Sequence, residues 1–315
     1  KGSPLILQGQ PKAKDIFELD EDIADFDNPN NSTQRNDEST QPIRLASLAS
    51  DFDMAISYAV QNQNNNLTKH PQITLAMLRE VFDGIKDSEQ NKIQILQEIA
   101  DELNRLHTDN KPMYVHYHLD SRARLEHFFA QCCVEVGGSA FNLEEKFNYT
   151  TANRLREVFD KFKNDSAKAD ELIALKSGRE KAIANYVYSD KNGNKGGDDG
   201  WDFRGRGIIQ LTGRANYKKF TTRAKEWGWI DNNIDFEKTP DLILQENKYL
   251  IMSAAYFWKD NAHRAKLKAP QHKEYNAHFK NKKCYEVADD NIKTNDEKSK
   301  AITYIVNRYT DSYTK

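Results

Sequence analysis

LEHFFAQCCVEVGGSAFNLEEKFNY, residues 125–149, decides how this chain is read. Leu125, Phe128, Phe129 and Cys132 recur at i, i+3, i+4 and i+7, which marks a helix with one buried face. Gly137 and Gly138 should stop that helix, because glycine tolerates the left-handed conformation of a helix C-terminus. Glu135 then sits in the last turn, facing the negative end of the helix dipole with apolar residues beneath it. Both effects disfavour the ionised carboxylate and raise its pKa. About ten residues later come Glu144 and Glu145, past a short irregular link. A protonated carboxyl near an ionised one is the equipment of glycoside hydrolysis. Taken alone, the stretch reads more readily as an ordinary helix end with three solvated glutamates.

The chain has 315 residues, 30% charged and 38% apolar, enough for one large or two ordinary domains. A net charge of -2 gives no global argument for nucleic acid. No apolar run approaches the roughly 20 residues of a membrane span. The amino-terminal KGSPLILQGQ has no signal-peptide apolar core and no starting Met, as expected of a processed form or a piece of something longer. The site of action is unassigned by these signals. Cys132, Cys133 and Cys284 are too few, and odd in number, for a disulfide framework. Buried free thiols are expected. A cysteine nucleophile would need a nearby His base, and His127 is the local candidate. The histidines show no metal spacing, and no metal or other cofactor is expected.

Residues 1–70 stand apart, as an acidic, linker-like amino-terminal segment. They carry eleven Asp/Glu against six Lys/Arg. NPNNSTQRNDESTQP (28–42) is nearly free of apolar residues and QNQNNN (61–66) is low complexity. One helix is expected between them, over 45–60. Residues 71–315 are expected to form the folded domain. Leu75, Leu78, Val81 and Phe82 mark a short helix ended by Gly84. Ser88 opens a longer one with Ile93, Leu96, Ile99, Leu103 and Leu106 on one face. Asp120 or Ser121 caps the helix leading to Glu135, and Thr150 or Thr151 caps TANRLREVFDKF. Further helices are expected over 171–175, 179–188, from Gly213 to about Trp227, 246–261 and 297–307. Residues 266–295 are charged and poorly periodic. Helices dominate and strands are few.

A second chemical segment follows the turn-rich KNGNKGGDDGWDF (191–203). In RGRGIIQLTGRANY (204–217), Gly205 and Gly207 let backbone approach a ligand closely. Arg204 and Arg206 flank them as cations. Ile208–Leu211 is expected as a short buried strand or extended piece. Gln210, Thr212 and Asn216 can hold a hydroxyl, an acetamide or a water. Trp201, Tyr186, Tyr188 and Tyr217 offer flat faces for sugar rings. From Lys195 to Lys219 there are six Lys/Arg against three Asp. The Gly-x-Gly is no dinucleotide fingerprint, since the third glycine and a preceding strand are missing, and no phosphate loop follows.

Together these segments resemble glycoside hydrolase family 19, in its lysozyme-like branch of phage endolysins and bacterial cell-wall hydrolases. The likeness covers about residues 73–315. It rests on DDGWDFRGRGIIQLTGRANY (198–217, with Asp198-Asp199-Gly200 where the family has Gly-Asp-Gly), HFFAQCCVEVGG (127–138), EEKFNYT (144–150), IANYVY (183–188), SAAYFW (253–258) and ITYIVN (302–307). Their order is the family's. The resemblance implies a mainly α, two-lobed lysozyme-like fold with a small β/loop region, preceded by the irregular amino-terminal segment. It implies an inverting hydrolase in which Glu135 matches the general acid. Glu145, four residues before Tyr149, matches the general base, with Glu144 the near alternative. Thr212 matches the hydroxyl that positions water. Gln210, Asn216 and Asn307 match cleft residues, and Arg206, Trp201 and Tyr217 are expected as further substrate contacts. The chain departs from the family at Val134, where a His is common, and at Arg308, where a Gly is common. Its Glu135–Glu145 spacing is one residue longer.

The expected substrate is a β-1,4-linked N-acetylhexosamine polymer. Peptidoglycan is preferred to chitin, because the likeness is to the endolysin-like branch and because a basic loop suits an anionic wall. Two rivals remain: a non-catalytic carbohydrate- or partner-binding module on the same scaffold, and a Cys132/Cys133-dependent peptidase. A wall hydrolase would act outside the cytoplasm, released by lysis or injected as an antibacterial effector, for instance by a type VI secretion machine. The amino-terminal segment would then be a tether, and an immunity protein an expected partner.

Overall fold

The computed structural model describes residues 70–263 and 277–306. The amino-terminal segment with its expected 45–60 helix lies outside the described residues, and so does Asn307. Among the described residues are fourteen α-helical segments and one 3-10 turn, with β pairing only as isolated bridges. The fold is mainly α, consistent with the lysozyme-like class.

The first helices are α1 (Leu75–Val81), α2 (Gln90–Asn104), α3 (Met113–His116) and α4 (Arg122–Glu135). Four more follow: α5 (Ala152–Val158), α6 (Asp160–Asn164), α7 (Ser166–Ile173) and α8 (Arg179–Tyr188). A short α9 (Asp199–Asp202) precedes α10 (Arg214–Glu226), α11 (Leu242–Gln245), α12 (Lys248–Asp260), α13 (Cys284–Ala288) and α14 (Asn295–Val306). Two apolar cores organise them. The larger joins α1–α4 to α10–α14. The smaller is built from Phe147 and from α5–α8, with Leu155, Phe162, Leu172, Ile183 and Tyr188 among its buried members.

α4 and α12 lie at the heart of the large lobe. The side chain of Ser121 caps α4 by accepting from the Arg124 amide. Leu125, Phe128, Phe129 and Cys132 are buried as their spacing requires. The opposite face of α4 is buried too, because polar partners meet it there: Gln131 Nε2 donates to Thr303 Oγ1 of α14 at 2.9 Å, and His127 Nδ1 lies 3.2 Å from Ser299 Oγ. α12 is apolar nearly all round and buries Leu250, Ala254, Phe257 and Trp258 together, as a helix enclosed by others must.

The small lobe is a single excursion of the chain. It leaves the large core between Leu143 and Phe147 and returns between Trp201 and Phe203. The two crossings are tied by backbone. The Glu145 amide donates to the Gly205 carbonyl at 2.8 Å, the Gly207 amide donates to the Leu143 carbonyl at 2.9 Å, and Glu144 and Arg206 form an antiparallel bridge. This strap, with a second bridge from Arg206 to Leu211, is the small β region.

Several expectations need correction. α2 stops at Asn104, short of Leu106, which is 55% exposed and pairs with Pro112 in a tight hairpin that returns Met113 and Tyr114 to the core. The TANRLREVFDKF helix breaks at Phe159, which takes extended backbone and sets its ring against Phe147, Tyr149 and Phe162. Ile208–Leu211 is not a strand but a buried turn, with Gln210 at φ 54°. The last helix begins at Asn295, and a short helix that the sequence pattern gave no sign of, α13, occupies Cys284–Ala288.

Gly200 sets how closely α9 approaches α8. A methyl group there would meet the Ala184 carbonyl oxygen at 2.4 Å and the Asn185 Cα at 2.6 Å, both backbone atoms that cannot rotate away. Gly200→Ala should therefore lower stability by about 1–3 kcal/mol, read as a lower urea midpoint.

Candidate active site

Glu135 is the last residue of α4, and Gly137 takes the left-handed conformation just beyond it, at φ 74°. Glu135 is 6% exposed, both carboxyl oxygens are buried, and among the described residues neither has a hydrogen-bond partner. Burial pushes its pKa well above the usual carboxylate range. Desolvation is the cause; the helix dipole that the sequence suggested is not needed to explain it.

Glu145 has the opposite surroundings. It stands on the crossing strap and is half-buried. The Tyr188 hydroxyl lies 3.0 and 3.1 Å from its two carboxylate oxygens, and the Gly205 amide donates to Oε2 at 3.3 Å. Tyr188 belongs to the small core and Gly205 to the returning crossing, so both lobes hold this side chain. Hydrogen bonds to a charged acceptor contribute roughly 1.5–3 kcal/mol each. Glu144, its neighbour, points elsewhere. It is paired with Arg204, and Arg206 Nε lies 3.7 Å away.

Gly205 is where three of the sequence-derived residues converge. A Cβ built on it would lie 2.9 Å from Gln210 Oε1, 3.3 Å from Thr212 Oγ1 and 3.4 Å from Glu145 Cβ. Thr212 is buried, and its hydroxyl donates to the Gln210 carbonyl at 2.8 Å. Its oxygen lone pairs are thereby turned to the remaining side as acceptors. The Gln210 amide donates to the carbonyls of Asn142 and Gly207, both at 3.0 Å, and so closes the turn onto the strap. Asn216 donates to the Thr212 carbonyl at 2.7 Å.

Arg206 and Tyr217, expected as substrate contacts, lie beneath the loop instead. Arg206 is 1% exposed, reaches the Asp202 carbonyl and Asp241 at 2.5 Å each, and donates to the Tyr217 hydroxyl at 3.1 Å. Tyr217 in turn donates to the Arg204 carbonyl at 2.8 Å. A chain that brings two arginines under one loop must neutralise them locally, and Glu144 and Asp241 do so. Trp201 remains partly exposed, with the Arg204 guanidinium 3.8 Å from its ring centroid.

Four of the six cations of this segment are spent on internal partners. Arg204 pairs with Glu144, Arg206 with Asp241, Arg214 with Asp199 and Glu237, and Lys219 with Asp260. Lys195 and Lys218 are exposed, so the excess of cations read from the sequence overstates the positive surface and weakens as an argument for an anionic substrate. The cysteine reading fails on similar grounds. All three thiols are buried, burial pushes Cys133 up to about 12, and His127 faces Ser299 rather than a thiol.

No family model matches the chain. A glycosyl hydrolase family 19 domain-containing protein of Haemophilus influenzae is 33% identical over 135 residues. That stretch is 42% of this chain and 59% of the relative.

A buried, partnerless carboxyl is costly once it must ionise. The unfolded chain loses this proton near the ordinary glutamate value, about 4.3, while the folded chain keeps it. Stability contributed by Glu135 is thus full below that value and falls as pH rises towards the folded pKa. Glu135→Gln should stabilise the fold at pH 7 by roughly 1–3 kcal/mol, with the gain shrinking towards pH 4. Urea midpoints of both proteins at the two pH values measure this.

Proposed function

We propose that the protein is a glycoside hydrolase of the family 19 type, which cleaves β-1,4 bonds of an N-acetylhexosamine polymer with inversion at the anomeric carbon. One contrast carries the reading: Glu135 is dry and partnerless, while the chain crossing holds Glu145 by hydrogen bonds to its carboxylate oxygens. The family 19 name of the Haemophilus influenzae relative supports the same class.

In this scheme protonated Glu135 gives its proton to the glycosidic oxygen as the bond from that oxygen to the anomeric carbon breaks. A water attacks the anomeric carbon from the opposite face and loses a proton to Glu145. Inverting enzymes leave room for that water with carboxyls roughly 6.5–9.5 Å apart. Thr212 accepts one O–H of the water, since its own proton is committed to the Gln210 carbonyl. Glu145 accepts the other. The pairing of Glu144 with two arginines supports Glu145 over Glu144 as base. Gln210 and Asn216 keep the turn in shape, and Trp201 offers a face to a sugar ring. No cofactor is invoked.

Peptidoglycan remains the preferred polymer, now on the endolysin-like resemblance alone. Chitin is the alternative, and mass spectrometry of digests of both polymers reads the bond cleaved and the anomer formed. Action at the cell wall, delivery as an antibacterial effector, and an immunity protein as partner belong to this same reading.

Glu135→Gln and Glu145→Gln should each lower turnover of purified wall about 10²–10⁴-fold, whereas Glu144→Gln should keep it within about tenfold. Near-normal turnover by either of the first two variants would sink the assignment. Wild-type activity should also fall as pH rises through the elevated pKa of Glu135, because the acid must hold its proton. Gly205→Ala sets a methyl among Glu145, Thr212 and Gln210, where the water is proposed to stand. It should cost at least about tenfold in turnover with a smaller change in KM.

A further inference from the structure

The hairpin between α2 and α3 carries a cluster that the hydrolase reading leaves unused. The turn is well built: the His107 amide donates to the Lys111 carbonyl and the Met113 amide to the Arg105 carbonyl, both at 2.8 Å, and Asn110 reverses the chain at φ 61°. His107 and Asp109 on the hairpin meet His116 at the end of α3. One potential ligand atom from each lies within 4.8 Å of the others. His116 Nε2 is 2.9 Å and His107 Nδ1 is 3.8 Å from the same Asp109 oxygen, and the two imidazole centroids are 4.3 Å apart.

A second observation comes from across the lobe. His107 Nε2 lies 3.2 Å from the carbonyl oxygen of Gly228, just past α10. A carbonyl can only accept, so Nε2 carries the proton and Nδ1 turns its lone pair towards Asp109. Metal-bound histidines are characteristically fixed in this way, with the remaining N–H given to a carbonyl. The Thr108 hydroxyl, 3.2 Å from Nδ1, donates to that lone pair and can rotate away. Lys111 Nζ, 3.5 Å from the other Asp109 oxygen, is half exposed on a flexible stem and competes with any cation.

We propose that His107 Nδ1, the Asp109 carboxylate and His116 Nε2 form a site for a borderline divalent cation such as Zn²⁺, with water as the fourth ligand. Two imidazoles and one carboxylate suit that class better than Mg²⁺ or Ca²⁺, which prefer all-oxygen shells. Zinc bonds of about 2.0–2.2 Å need the cluster to close by only a modest rotation of side chains. The bound ion would clamp the α2–α3 hairpin, which His107 already ties to the end of α10. This site is independent of the proposed glycosidase chemistry.

The test uses the full chain, stripped of metal and titrated with Zn²⁺ by calorimetry and with Co²⁺ by visible absorption. One equivalent should bind, with a tetrahedral Co²⁺ spectrum, and Zn²⁺ should raise the melting temperature. Asp109→Asn and His116→Gln should each weaken binding at least about tenfold, and His278→Gln, at a separate His–Asp pair, should leave it unchanged. Circular dichroism without metal checks that the variants fold; if His116→Gln does not, the exposed Asp109→Asn decides the matter. Absence of saturable binding below the millimolar range, or equal affinity in the folded variants and the wild type, overturns the proposal.

Discussion

The backbone hydrogen bond from the Glu145 amide to the Gly205 carbonyl is the contact on which the candidate site depends. The small lobe is connected to the large one by two passages of chain, and this bond, with its Gly207–Leu143 companion, fixes one passage against the other. Once they are fixed, Glu145 has no freedom to choose its neighbours. Tyr188 reaches it from one core, Gly205 from the other, and Thr212 and Gln210 border the same small space. Side-chain placement here follows from where the chain changes lobes.

The two carboxyls have contrasting surroundings for a plain reason. Glu135 terminates a helix sunk in the large core, so it inherits a dry environment and no partner. Glu145 rides on a strap, with the Gly205 amide and the Tyr188 phenol at its carboxylate. Desolvation raises the pKa of Glu135, whereas the Glu145 carboxylate oxygens are held by the Tyr188 hydroxyl and the Gly205 amide. The protein accepts a destabilising buried acid at one point of its fold, as sites built for proton transfer commonly do. Glu144 illustrates the alternative. One position away, it is absorbed into the charge balance of Arg204 and Arg206 and has no such contrast.

Much of this was legible in the sequence because it depends on local rules. Ser121 and Thr151 cap the helices that their positions suggest, Gly137 ends α4, and the apolar spacing around Leu125 marks its core face. What escaped depends on contacts across the chain. Nothing near Tyr188 signals that its hydroxyl binds a carboxylate 43 residues earlier; as a sequence feature it was only a flat ring. Arg206 looks like a ligand contact until Asp241 and the Asp202 carbonyl are seen to use it up, and Tyr217 until Arg206 and the Arg204 carbonyl are seen to do the same. Counting cations along a segment likewise overstates its surface charge when their partners lie tens of residues away. The break at Phe159 has the same origin, since the small core takes that ring from outside the helix.

Because residues 147–201 leave the large core and rejoin it at neighbouring points, the small lobe is threaded like a closed loop on a frame. Lengthening or trimming that loop changes the small lobe without rerouting any helix of the frame. The entropic cost of a longer loop grows only slowly with its length. Relatives with other polymer preferences could thus differ by insertions confined to this excursion, and a graft of the whole excursion between them would need to match only the two points where it is joined.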